Sequence, residues 1–202
     1  MVVYAGLPCV NLMSHILGEK YHIYNRGAHK APIFLDRGDY ERFITLLYTA
    51  NDTRRVDLRS IKPLDMFQYN RDIIVDIFAY CLMPNHFHIG VEEKTDGGIT
   101  RFIRKLCTSY AMYYNRKYDH SGTIFQGQYK EKHIDNDEYL RYLIQYIHLN
   151  PYSIDEPDLM KTAKPEYLAQ AIEYSKKYEF SSYKDYLGEN RPQGSIIRVY
   201  AG

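Results

Sequence analysis

The sequence predicts a mixed α+β domain built on a covered sheet, and three patterns predict it. The first is Ile73-Ile74-Val75-Asp76-Ile77-Phe78-Ala79-Tyr80-Cys81 running into Leu82-Met83-Pro84-Asn85-His86-Phe87-His88-Ile89-Gly90, too apolar and β-branched for an exposed loop. The second is Tyr21-His22-Ile23-Tyr24-Asn25-Arg26 before Gly27, the two-residue alternation of a strand entering a turn. The third is helical spacing of apolar residues in the segments between and after these strands. With 202 residues, 45% of them hydrophobic, the chain can bury a core in one domain, or in one domain with an appendage.

Residues 1–19 show no period and read as an N-terminal arm. After the first strand, Tyr40, Phe43, Ile44 and Leu47 recur at helical spacing behind Asp36-Arg37-Gly38-Asp39, with Asp39 placed to cap the helix. Residues 51–70 are charged and turn-rich, an ordered excursion with no domain boundary. Strands over 73–82 and 86–92 flank Pro84-Asn85, a bulge or short turn that aims the two histidines. Asp96-Gly97-Gly98 opens a long helix over 99–118. Its apolar stripe is Ile99, Phe102, Ile103, Leu106, Tyr110, Tyr113 and Tyr114, and Arg101, Arg104, Lys105, Arg116 and Lys117 fall mostly off it. The glycine-spaced segment from Ser121 to Lys130 reads as an extended excursion or edge strand. Asp135-Asn136-Asp137 caps a helix over 137–150 that Pro151 stops, and a further helical pattern covers 165–177. The expected organisation is an arm over 1–19, one domain over 20–187 and a polar tail over 188–202.

Composition narrows the function classes. No run approaches the ~18 apolar residues of a membrane span, and the first residues lack a basic stretch followed by an apolar core, so the expected location is the cytoplasm. Cys9, Cys81 and Cys107 are odd in number and widely spaced, which suits reduced thiols better than a disulfide framework or a zinc knuckle. The net charge of +1 advertises no anionic partner, so any such partner must meet a local patch. One exists: residues 99–134 hold seven Lys or Arg (Arg101, Arg104, Lys105, Arg116, Lys117, Lys130, Lys132) against Asp119 and Glu131, either a phosphate-binding surface or a solvated helix face. The 22 tyrosines and absent tryptophan add stacking faces with hydroxyls beyond what a core needs.

His86 and His88, two apart on an extended segment, share one face while Phe87 points the other way. Alone, a His-x-His pair is weak evidence and more often marks ordinary strand histidines. As ligands, two neutral imidazoles leave room for a third protein donor and for substrate, the arrangement of an open, catalytic metal site. On the helix over 137–150 the buried stripe is Leu140, Leu143, Ile144 and Ile147. Tyr146 and Asn150 flank it as an i, i+4 pair. Packed beside the histidine strand, that helix could offer a carboxamide oxygen as third ligand and a phenol as nucleophile. Tyr110, Tyr113 and Tyr114 lie on their helix's apolar stripe and default to packing.

These pieces together resemble the HUH single-tyrosine transposases, most closely the REP-associated tyrosine transposases of bacteria. The matching residues are Asn25-Arg26-Gly27, Leu82-Met83-Pro84-Asn85-His86-Phe87-His88, Ser121-Gly122-Thr123-Ile124-Phe125-Gln126-Gly127, Tyr146-Ile147-His148-Leu149-Asn150-Pro151 and Phe180-Ser181-Ser182-Tyr183, in the family's order. The resemblance implies a ferredoxin-like α/β sandwich with a central antiparallel sheet and helices packed on one side, plus a C-terminal helical extension. It implies a divalent metal, Mg2+ or Mn2+, on His86 and His88, with Asn150 as third ligand where related transposases carry glutamine, and Tyr146 as nucleophile. The implied partner is single-stranded or hairpin DNA, cleaved and rejoined through a 5′-phosphotyrosine, with Arg101, Arg104, Lys105, Arg116, Lys117, Lys130 and Lys132 on its phosphates; some relatives are homodimers that exchange tyrosine helices. Phe125 departs from the family's tryptophan. Two rivals stand beside this reading. One is a non-catalytic nucleic-acid-binding regulator on the same fold. The other is a small metallohydrolase using His86, His88 and one of His22, His133 or His148, although His148 points roughly 160° around its helix from Tyr146.

Overall fold

Strand β1 (Lys20–Arg26) leads to helix α1 (Arg37–Thr49), the paired strands β2 (Val75–Met83) and β3 (His86–Glu93), helix α2 (Gly98–Lys117), strand β4 (Lys130–Ile134) and helix α3 (Asp137–Leu149); α4 (Pro165–Lys177) and the one-turn α5 (Tyr183–Tyr186) come last. This structure, a computed structural model, describes residues 15–57, 60–62, 65–154 and 165–200, so most of the expected N-terminal arm lies outside the described residues. The strands stand in the order β2-β3-β1-β4 and every pair is antiparallel. Placing β1 between β3 and β4 gives the ferredoxin-like sandwich.

Strand parity sorts the core. Ile23 of β1 and Phe87, Ile89 and Val91 of β3 face α1 and α2, where Phe43, Leu47, Phe102, Leu106 and Tyr110 complete the larger cluster. From the other parity, Ala79, Cys81 and Met83 of β2 and Ile134 of β4 meet Leu143 and Ile147 of α3. Helices α1 and α2 thus share one side, as expected, and α3 covers part of the other. The part it leaves uncovered is where the histidines emerge.

Local chemistry explains the boundaries. The N-cap of α1 is Asp36, not Asp39: Asp36 Oδ1 accepts from Asp39 N at 3.1 Å, and the Asp39 carboxylate bonds back to Asp36 N, closing a capping box. Asp39 is fully buried and also receives Lys117 Nζ at 2.7 Å and the Tyr118 hydroxyl at 2.8 Å, which ties the end of α2 to the start of α1. The excursion over 51–70 is anchored where Asn51, itself buried, pairs with the backbone of Ile74 and Val75. The edge of β2 is covered by the Phe-Ser-Ser-Tyr string. Leu82 N donates to Phe180 O and Ser182 N to Tyr80 O, both at 2.9 Å, so no bare strand edge remains there. The expected polar tail is docked in part, with Ile196 buried and Arg198 N bonded to Ile77 O at 2.8 Å. Among the described residues no helix is long and apolar enough to cross a membrane.

A bulge at Phe78 shifts the β2–β3 register and lays its ring across Gly90, where an added Cβ would stand 2.2 Å from Phe78 Cε2. Gly90→Ala is therefore expected to cost about 1–3 kcal/mol by overpacking, read as a lower urea midpoint at unchanged slope.

Candidate active site

Met83 and His86 face each other across the strand pair, so Pro84-Asn85 is a two-residue turn. It does more than reverse the chain. Asn85 Oδ1 lies 2.7 Å from His86 Nδ1; with that oxygen as acceptor, His86 carries its proton on Nδ1 and presents a bare Nε2. His88 falls on the same face, its ring 5.0 Å from that of His86 and nearly perpendicular to it. The β1 register sets Arg26 opposite His86 and Tyr24 opposite His88, with His22 one step further on that face. His22 Nε2 is 2.9 Å from His88 Nδ1. Burial lowers the basicity of both His86 and His88, so both rings are neutral at physiological pH.

Helix α3, capped by Asn136 Oδ1 on Tyr139 N at 2.7 Å, brings in the phenol. The Tyr146 ring is 5.5 Å from His88 and 6.2 Å from His22, edge-on to both. Asn150, the C-cap residue one turn on, is buried, and its Oδ1 has no hydrogen-bond partner. The carboxamide is near enough to His86 and Tyr146 to favour charge on each, in both cases against the larger effect of burial. A buried amide oxygen without a donor is costly unless something else fills its lone pairs. Two neutral imidazoles and one such oxygen fit a divalent cation with open positions for substrate.

His86, His88 and Tyr146 line a cleft of about 520 Å³ together with Arg26, Lys30 and Lys130. The seven expected cations are split by the sheet. Lys130 and Lys132 lie on the histidine side, opposite Tyr24 and His22. The five on α2 lie on the other side, and three of them have internal partners: Lys105 on the Asp52 and Arg54 carbonyls, Lys117 on Asp36 and Asp39, and Arg101 on Thr95. Arg104 and Arg116 are exposed. Counting charge along the chain could not assign faces, and it missed Arg26 and Lys30, which belong to no basic run. The 121–129 excursion runs beside the end of β1, through a Gly27–Phe125 bridge, and hands Gln126 to Arg26.

The alternative third histidines are committed elsewhere. His22 faces His88, His133 bonds Glu19 at 2.8 Å, and His148 is buried against Ser182 at 2.8 Å. Among the described residues no group of three or more His, Cys, Asp or Glu could hold a metal.

The strand order and the helices packed on the sheet are those of a ferredoxin-like sandwich. Residues 65–150 match the family described as "Transposase IS200 like", a segment that runs from before β2 through Tyr146 to Asn150. Among solved structures, the fold is similar to that of a REP-associated tyrosine transposase bound to a REP hairpin, at 14% identity and TM-score 0.53, over 100% of this chain and 92% of that one. A crystal structure from Deinococcus radiodurans r1 aligns over 72% of this chain and 95% of that one, at 14% identity and TM-score 0.40, too distant to bear weight. No curated protein matches the chain in sequence.

Proposed function

We propose that the protein cleaves and rejoins single-stranded DNA at hairpin-associated sites, with Tyr146 as nucleophile and with Mg2+ or Mn2+ held by His86, His88 and Asn150. The observation that carries this reading is the Tyr146 phenol standing beside two neutral histidines and an unpartnered buried carboxamide oxygen, in a cleft rimmed by cations. In the reaction the Tyr146 oxygen forms a bond to phosphorus as the bond from phosphorus to the 3′ oxygen breaks. The phenol loses its proton, the leaving oxygen gains one, and one phosphodiester is exchanged for another, which keeps rejoining accessible. When bound, the cation supplies Lewis-acid polarisation of the phosphate. Burial pushes the Tyr146 phenol above its ordinary value and Asn150 pulls it back, so Asn150 would also ease ionisation of the nucleophile.

DNA is gripped mainly from the histidine side. Arg26, Lys30 and Lys130 rim the cleft, and Tyr142, 59% exposed, continues outward from Tyr146 with nearly parallel rings, a face on which an unpaired base can stack. Exposed Arg104 and Arg116 of α2 offer a second, weaker contact for longer DNA. Replacing Lys130 and Lys132 together by glutamine is expected to reduce the slope of log affinity against log salt by about 1.4 for single strands, about 0.7 per lost phosphate contact. The Arg104→Gln, Arg116→Gln pair should change it less. Equal slopes for the first pair and the parent would move the DNA to another face.

The defining test is incubation with labelled hairpin DNA and Mn2+ or Mg2+, then a denaturing gel. The hairpin is chosen because the similar transposase structure holds one. A metal-dependent band of DNA bound to protein is expected. Tight hairpin binding without such a band would instead favour the regulator.

A further inference from the structure

The proposed chemistry leaves His22 without a task, although it is buried directly against a proposed ligand. His22 Nε2 and His88 Nδ1 are 2.9 Å apart, and the rings are 5.0 Å apart and 25° from parallel. A neutral imidazole carries one proton, and only one proton can lie on the line between these two nitrogens. There are two arrangements. If His22 donates, the proton of His88 sits on Nε2, and that nitrogen has no lone pair for a cation. If His88 donates from Nδ1, its Nε2 is bare.

On the reading of His86 and His88 as ligands, we infer that His22 is a positioning residue that accepts the Nδ1–H of His88 and so holds His88 Nε2 bare toward the cleft. Both ligands then share one tautomer, held by different neighbours. For His86 the acceptor is Asn85 Oδ1 in the turn, 2.7 Å from Nδ1. For His88 the acceptor is an imidazole on the adjacent strand, two residue pairs along the β1–β3 register and on the same face. The same bond fixes the orientation of the His88 ring, so the sheet register sets the direction of a ligand lone pair. Outer partners of this kind orient a ligating histidine and raise its basicity, and losing one typically lowers metal affinity about 10- to 100-fold.

The test reads proton position and metal affinity rather than DNA cleavage. Long-range 1H–15N spectra of the full chain with 15N-labelled histidine, without metal at pH 7, should show His88 protonated on Nδ1. Mn2+ binding followed by EPR should weaken about 10- to 100-fold in His22→Phe, which keeps the ring volume and removes the acceptor. His22→Gln, whose amide oxygen can accept, should recover most of that loss, as a purely space-filling role would not. A parent His88 protonated on Nε2 would overturn the inference, even if His22→Phe failed to fold. So would a folded His22→Phe with the parent's Mn2+ affinity, or a parent that binds no Mn2+. A protein that forms no DNA adduct yet shows the Nδ1 tautomer and the His22-dependent affinity would sink the transposase reading and support this one.

Discussion

Tyr146→Phe is expected to fold, bind hairpin DNA and bind Mn2+ as the parent does, and to form no covalent DNA adduct, with cleavage down at least about 10³-fold. The change removes one oxygen that makes no hydrogen bond needed by the fold; the ring, half-buried against His88 and His22, stays. The rival tyrosines are placed elsewhere. Tyr110 is fully buried with its hydroxyl on Ile33 O at 2.5 Å, and Tyr113 bonds Asp39 at 3.0 Å, both on the sheet face away from the histidines. A buried phenol cannot reach a bulky phosphodiester. Tyr142 is the informative control, being exposed, on the same helix and one turn nearer solvent. Tyr142→Phe should keep the adduct and Tyr142→Ala should weaken binding through lost stacking. An adduct that survives in Tyr146→Phe and disappears in Tyr142→Phe would move the nucleophile by one turn.

Much of the fold was legible because its periods are strong. The β-branched run before His86, the stripe of α2 and the capped α3 each carry their own signal, and the strand pair and both helices lie within a residue or two of the expected bounds. Asp39 was misplaced as a cap because Asp36 and Asp39 are both good acceptors three residues apart; which one caps depends on reciprocal bonding that spacing alone does not encode. In the tail, Ile196 and Ile197 are too few to make a periodic signal, yet they suffice to dock on an edge already shaped to receive them.

The site was legible where its residues are neighbours in sequence and obscure where only register joins them. His86 and His88 lie two apart and Tyr146 and Asn150 four apart, so each pair could be read from local geometry. Opposition of Tyr24 to His88, of Arg26 to His86 and of Lys132 to His22 needs the pairing of β1 with β3 and β4. The same limit explains the basic cluster: Lys105 and Lys117 looked like phosphate ligands in a linear count, and three-dimensional placement ties both to the protein's own oxygens.

His86→Ala and His88→Ala should each abolish Mn2+ binding and cut cleavage by at least about 10³-fold, while hairpin affinity without metal changes little, because phosphate contacts lie on separate side chains. Their costs to stability should differ. His88 is buried and bonded to His22, so its removal leaves the His22 ring with an unsatisfied polar atom, a penalty of about 1–3 kcal/mol. His86 is only half-buried and its partner Asn85 sits in a turn, so His86→Ala should be nearly neutral in a urea melt. Asn150→Ala completes the set. Its Oδ1 makes no well-formed hydrogen bond and the carboxamide has only loose contacts with His86 and Tyr146, so stability without metal should change little while Mn2+ affinity falls, and that pair of changes separates a ligand from a packing residue. An Asn150→Ala protein that melts early and binds Mn2+ like the parent would remove the carboxamide from the site and leave the cation on two histidines and solvent.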